Sequence, residues 1–415
     1  MQSFIIRPPE VHTEAGKTTV TARVETPSES HDLWFRGPSD ALLPRGADAF
    51  VITCMPTAMK LGLPIRVESN VSPRLVASLN TIQDILCKWH PDLHRVRLEA
   101  GTAPASAMRT REGTAAFFSG GVDSFYTTLK HQNIISTLIL VHGFDLSLEN
   151  IELRSRVTNA MQQTATGLGK RLVEIETNSK PFTNRHVDWV SHQFGAALAG
   201  VAVLLGGEVG NVLVPSSESY AHLEPCGSHP LLDPLWSTEY MNLIHDGAES
   251  TRNEKVAAIS RFPPALSQLR VCWENLGNAY NCGRCEKCIR TMLNLEAAGA
   301  LNRCTAFEAT LTAQKVAQVE IPNSLVFFHF EEILRFFRKE GGGSDLVMAL
   351  EQTLARFQGK ELAKALADLP SLNADTPGLA RAAGRHASSL LQAMVRQKRQ
   401  LTTNLMRYYW KRLFG

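Results

Sequence analysis

The stretch FFSGGVDSFYTTLKH, from Phe117 to His131, decides how the chain is read. A short apolar run leads into Ser119, Gly120, Gly121, Val122, Asp123 and Ser124, and a helix-like segment follows. A strand, a glycine-rich turn and a helix start place free backbone amides and the positive end of a helix at one point, which suits an anion. Glycine removes the Cβ that would keep a phosphate away from the backbone. The loop lacks the lysine and the longer spacing of a Walker A loop, which argues against kinases and switch-type nucleotidases.

Working outward, apolar runs of strand length alternate with helix-length segments from Thr114 onward, the signature of a parallel sheet with helices on both faces. AAFF, ISTLILV, RLVEIET and NVLVPSS are expected as strands. DSFYTTLKH, the stretch from Leu148 to Leu168 and the stretch from His186 to Leu205 are expected as helices. The fold class is therefore α/β with a doubly wound parallel sheet, whose ligands sit beyond the carboxyl ends of the strands. Three regions are expected: a small mixed α/β module over residues 1–112, the doubly wound domain with its cysteine cluster over 113–300, and a helical region over 301–415. Within the first, TTVTARVET and DAFVITCM read as β-type runs and SPRLVASLNTIQDILCKW as a helix.

The pattern S-G-G-x-D-S resembles the phosphate loop of the PP-loop ATP pyrophosphatases at every fixed position. That resemblance implies a PP-loop (HUP-like) fold and a loop that grips the β,γ-pyrophosphate of ATP while an acceptor oxygen attacks the α-phosphate. Ser119, Gly120, Gly121 and Ser124 would then hold pyrophosphate, with Val122 in the same loop, and Asp123 would help place Mg2+. The next strand ends in VHGFD, where His142 and Asp145 either lie beside the adenosine or serve as a satisfied histidine and a capping acid.

Composition narrows the setting. The 415 residues are 44% hydrophobic and 20% charged, and a net charge of +3 does not by itself imply nucleic acid. The longest nearly apolar run, Phe194 to Gly207, is shorter than the roughly 20 residues a membrane crossing needs. The start has no secretory pattern, and the cysteines crowd rather than pair, so a reducing cytoplasm is expected. Cys272, Cys282, Cys285 and Cys288 have the density of a closed tetrahedral zinc site. The S-G-G-x-D-S loop followed by C-x9-C-x2-C-x2-C resembles the 7-cyano-7-deazaguanine synthases, nitrile-forming enzymes of queuosine precursor synthesis. They adenylate a carboxylate and pass it to ammonia. The resemblance covers roughly Thr114 to Gly299.

Between the fourth strand and the cysteines, a segment dense in polar residues suits a substrate lip, with Ser216, Glu218, Tyr220, Ser228, His229 and Asp233 as candidates for recognition. Arg252 and Lys255 share a helix face if Ser250 or Thr251 caps it, and would neutralise charge on the α-phosphate or the departing pyrophosphate. The expected function is ATP-dependent adenylation of a carboxylate or carbonyl oxygen, then attack by a nitrogen nucleophile, with ATP, Mg2+ and Zn2+ as cofactors. The terminal regions leave room for a bulkier acid, a protein or peptide substrate, or a homo-oligomer. Two other readings stand beside it: tRNA modification through the basic, aromatic tail that ends in Arg407, Tyr408, Tyr409, Trp410, Lys411 and Arg412, and a non-catalytic ATP sensor.

Overall fold

The computed structural model describes residues 2–102, 112–206, 209–340 and 343–367. Alternation along strand β7 (Gly113–Phe117) and the residue after it sends Ala115 and Phe117 to one face of a sheet and Ala116 and Phe118 to the other, and each face has its own apolar core. Next come α3 (Val122–Lys130), β8 (Ile135–His142), α4 (Ile151–Gly167), β9 (Arg171–Thr177), α5 (Ser179–Thr183), α6 (Phe194–Ala202), β10 (Val209–Pro215) and β11 (Asn242–Asp246). These five strands pair in parallel in the order β11-β10-β7-β8-β9. The chain winds away from β7 in both directions, so the carboxyl ends of β7 and β10 flank the point where strand order reverses.

The amino-terminal residues add to the same sheet. Strands β1 (Phe4–Ile6), β3 (Lys17–Glu25), β4 (Ser30–Pro38), β5 (Ile65–Val71) and β6 (Leu98–Thr102) extend it in the order β4-β3-β1-β5-β6, while β2 (Glu10–Glu14) pairs with β3. The join is narrow: β4 meets β9 antiparallel at Phe35–Thr177 and Arg36–Glu176. Asn178 reinforces it by accepting the Trp34 amide at 2.9 Å. The sheet is thus mostly parallel, with its antiparallel pairings around β3 and at this join.

DAFVITCM corrects one expectation. It is not a strand but the first part of helix α1 (Asp48–Leu61), buried from Asp48 to Met59 and stopped by Gly62 at a φ of 65°. A continuous apolar run fits either a buried helix or a buried strand, and here its length decides. Helix α2 (Pro73–Trp89) follows β5 as expected. Beyond the sheet come α7 (Arg252–Ile259), α8 (Pro263–Gln268), α9 (Glu286–Ala297), α10 (Ala313–Gln318), α11 (Ser324–Glu340) and α12 (Ser344–Ala367). Packing separates Met1–Leu354 from Ala355–Gly415, and the described residues of the second unit, 355–367, are helical. The basic residues near the carboxyl terminus lie outside the described residues. Among those described, no helix is long and apolar enough to cross a membrane.

Candidate functional site

Helix α3 begins at Gly121, whose backbone is extended and whose place offers no side-chain cap, so the first-turn amides of Val122 and Asp123 open outward. Gly120 holds a φ of +77°, a conformation that favours glycine, and a Cβ there would meet the side chain of Met161 at 2.6 Å. The loop is braced from behind. The Arg270 amide donates to the Gly120 carbonyl at 2.8 Å, and the Ser124 hydroxyl donates to the Gly121 carbonyl at 3.0 Å.

In front of the loop lies a cleft of about 140 Å³ that opens to solvent. Its polar lining is formed by Ser119, Gly121, Asp123, Ser124, Ser217, Arg252, Arg270 and Lys287. Its apolar lining includes Ile139, Val141, Phe144, Val157, Phe194 and Leu198. Helix α7 brings Arg252 and Lys255 to one carboxylate, as their spacing requires. Thr251 and Glu254 close a reciprocal cap on α7, Arg252 donates to Asp123 Oδ2 at 2.6 Å, and Lys255 Nζ lies 3.5 Å from Oδ1. Lys255 also donates to the Ser216 carbonyl at 2.7 Å, tying α7 to the end of β10. Burial raises the Asp123 pKa, but Arg252, Lys255 and Lys287 outweigh it and hold the carboxyl below its ordinary value. Four cations, Arg252, Lys255, Arg270 and Lys287, thus surround two carboxylates, Asp123 and Asp145, and the cleft favours a multiply charged anion.

The four expected cysteines come together. All their sulfurs lie within 4.8 Å of one another, with Cys272–Cys285 and Cys282–Cys288 each at 3.9 Å. Thiolates bound to a tetrahedral zinc at its usual bond length stand about 3.8 Å apart, so the cluster fits a metal such as zinc. The Cys285 amide donates to Cys282 Sγ at 3.3 Å. The cluster also frames the cleft. Arg270, two residues before Cys272, donates to the Cys272 carbonyl and to Asn275 Oδ1, and Lys287 lies between Cys285 and Cys288. Asn275, in the left-handed region with φ 53°, donates to the Asp145 carbonyl at 2.9 Å.

Other expected residues lie elsewhere. His142 is buried away from the cleft, its Nε2 between Glu174 and the Thr158 hydroxyl at 3.0 and 3.2 Å, while Asp145 does line the cleft. Ser216 turns inward to hold the loop at Glu218, and its neighbour Ser217 lines the cleft instead, since successive residues leave a strand on opposite sides. Glu218 is buried against His329, and Tyr220 is exposed. Ser228, His229 and Asp233 form an internal cluster: Asp233 accepts from the Ser228 hydroxyl and pairs with His245, and the His229 ring packs against Trp89. Apart from Ser217, the candidates of this segment therefore support the surrounding structure and do not form the cleft wall. No protein-family model matches the chain, and no curated protein or solved structure matches it.

Proposed function

We propose that the protein is a PP-loop ATP pyrophosphatase that adenylates a carboxylate and transfers the activated acyl group to a nitrogen nucleophile. The observation that carries this reading is the uncapped amino end of α3, set at the reversal of strand order and faced by cations from two other elements, Arg252 and Lys287. The amides from Ser119 to Ser124 would cradle the β- and γ-phosphates, with Arg252 and Lys255 over the bridging oxygens. Asp123, held ionised, would share Mg2+ with the triphosphate, and the ion would offset charge on the leaving pyrophosphate. A carboxylate oxygen of the acceptor then bonds to the α-phosphorus. The bond from that phosphorus to the β-bridging oxygen breaks, and its electron pair leaves with pyrophosphate. Ammonia or an amine attacks the acyl carbon and expels AMP. The cysteines, with a full tetrahedron, leave no open position for an activated water, so zinc there would hold the cleft's wall and take no part in the reaction.

The test is mass spectrometry of protein incubated with ATP, Mg2+, ammonia and a set of carboxylic acids. AMP, pyrophosphate and an acid changed by amidation or dehydration are expected, and Asp123→Ala should abolish all three while keeping the fold. ADP and phosphate in their place would refute the reading, because they require cleavage at the γ-phosphorus. Binding of ATP without any cleavage would favour a nucleotide sensor.

A further inference from the structure

The turn that follows β10 is fastened to helix α11, and the fastening leads on to a cation beside the phosphate loop. Lys255, only 1% exposed, donates to the Ser216 carbonyl at 2.7 Å, while Asp123 Oδ1 lies farther off at 3.5 Å. The carbonyl therefore sets where this ammonium sits. Ser216 is itself fixed by its neighbours: its amide donates to the Asp246 carbonyl and its hydroxyl to the Glu218 carbonyl, both at 2.7 Å, and the Glu218 amide donates back to that hydroxyl at 3.3 Å. Ser217, in the middle of the turn, lines the cleft.

The Glu218 side chain reaches α11. Glu218 and His329 are each 8% exposed, and Glu218 Oε1 accepts from His329 Nε2 at 3.3 Å. A carboxylate buried this far is costly without a donor, so the contact ties the turn to the helix. The same helix follows the loop onward: Ser324 donates to Glu224 at 3.4 Å, Phe328 stacks on the His222 ring at 5.5 Å between centres, and Glu332 lies 3.9 Å from His222. Ser324, Phe328 and Glu332 are spaced four apart and share one stripe of α11. Among the described residues, no side chain of α11 lines the cleft.

We propose that Glu218 and His329 are positioning residues for the phosphate site: the pair locks the turn from Ser216 to Glu218, and the turn holds Lys255 beside Asp123 and the bound triphosphate. Helix α11 thereby acts on the cleft without touching it. The inference rests on the adenylation reading for its ligand, ATP, and goes beyond it by giving α11 a part in binding. The route consists of consecutive direct contacts, from His329 to Glu218, from Glu218 to Ser216 and from Ser216 to Lys255. The effect of His329 on ATP should therefore vanish once Lys255 is gone.

Calorimetric titration of the full chain with ATP and Mg2+ tests it as a double-mutant cycle. Lys255→Met should weaken ATP binding by about tenfold or more, the low end for a hydrogen bond to a charged group. His329→Ala should weaken it by about threefold or more, within the range for coupling inside one network, and His329→Gln, which can still donate to Glu218, should restore part of it. The double variant Lys255→Met/His329→Ala should bind within about twofold of Lys255→Met alone. Melting curves check each fold, and His329→Phe, which keeps a ring without a donor, replaces the alanine in the cycle if that variant does not fold. A second readout needs no ATP: brief acetylation followed by mass spectrometry should find Lys255 protected in the wild type and modified faster in His329→Ala, with Lys180 of α5 unchanged. ATP affinity untouched by His329→Ala, losses that add in the double variant, or Lys255 equally protected in both proteins would overturn the proposal. A wild type that binds no ATP would refute the adenylation reading, and acetylation would then decide the role of the pair.

Discussion

Two strand-to-helix junctions of this sheet have the same design and opposite outcomes. Where β5 leads into α2, the Ser72 hydroxyl caps the helix by accepting the Leu75 amide, and Glu239 accepts both the Arg74 amide and the Ser72 hydroxyl proton. Asp48, at the start of α1, accepts the Ser72 amide and the Tyr240 hydroxyl. The protein's own carboxylates fill that junction. Where β7 leads into α3, no side chain caps the helix, and the nearby carboxylate, Asp123, is engaged by Arg252 and Lys255. Helix amino ends attract anions in both places. What differs is that one junction supplies its own anion and the other presents cations around an open space. An open, cationic junction is costly unless a ligand completes it, and that contrast supports the phosphate reading more strongly than the glycines alone.

The most severe way to break the contrast is to close the open junction. In Gly121→Val the Cβ would lie 3.3 Å from Ser119 Oγ and 3.7 Å from the Arg270 carbonyl, so the backbone can accept it, but the added methyls would take the place of the proposed phosphate. ATP binding should vanish while the melting temperature barely moves. A variant that binds ATP as well as the wild type would show that the phosphates do not rest on this loop.

Next in size is the metal. Cys285→Ser should reduce zinc from about one per chain and lower stability with it, since binding free energy at a closed cysteine site is also folding free energy. Because Arg270 and Lys287 flank the ligands, variant that remains folded should also bind ATP more weakly. Elemental analysis, melting and ATP titration on one preparation check the three together. A zinc-free wild type that binds ATP normally would separate the cluster from the cleft.

The closed junction should respond in a different way. Glu239→Ala removes the acceptor for two donors at the start of α2 and should cost about 1–2 kcal/mol of stability, the range for a lost cap. Denaturant midpoints measure it. ATP affinity should not change, and a loss there would mean that the two junctions communicate.

How much of this was legible depended on range. The glycine loop after β7, the cysteines and the Arg252–Lys255 pair are local patterns, and the structure gathers Asp123, Arg252 and Lys255 within contact distance. ISTLILV and RLVEIET fall on β8 and β9 because parallel strands read as apolar runs. The join of β4 to β9 rests on two residue pairs 142 and 140 positions apart in the chain, as the numbers Phe35–Thr177 and Arg36–Glu176 give, and no local pattern announces it. Lys287 was hidden inside the cysteine run, where the spacing of the thiols draws attention from the residues between them. The position was still readable: a helix that starts at a metal ligand aims its first turn at whatever the metal loop borders. His142, which proves to be the satisfied histidine of its two readings, and Ser216 both point off the cleft for one shared reason, since a strand end shows only every second residue to a given side.

The smallest effect should come from Asp48, the acid of the closed junction. Burial is the main cause that raises its pKa from 3.8 to about 6; the bonds from Ser72 and Tyr240 pull it back only in part, and the charge of Glu239 adds to the rise. Below the unfolded value both states are protonated, and the group leaves stability unchanged. As pH climbs from about 4 through about 6 the unfolded chain releases its proton more readily than the folded one, so stability falls across that window and then levels. Asp48→Asn removes the titration. Its single oxygen cannot replace both acceptors, so about 1 kcal/mol of hydrogen bonding is lost, and the net change at neutral pH should be small. The readout is therefore the slope: denaturant midpoints measured across the window should decline with pH in the wild type and decline less in Asp48→Asn. At Asp123 the sign is opposite, because its cations hold the folded pKa down and its contribution to stability is lost as pH falls. Equal slopes in the wild type and Asp48→Asn would show that the closed junction does not force its acid towards neutrality, and the distinction between a filled junction and an open one would then rest on geometry alone.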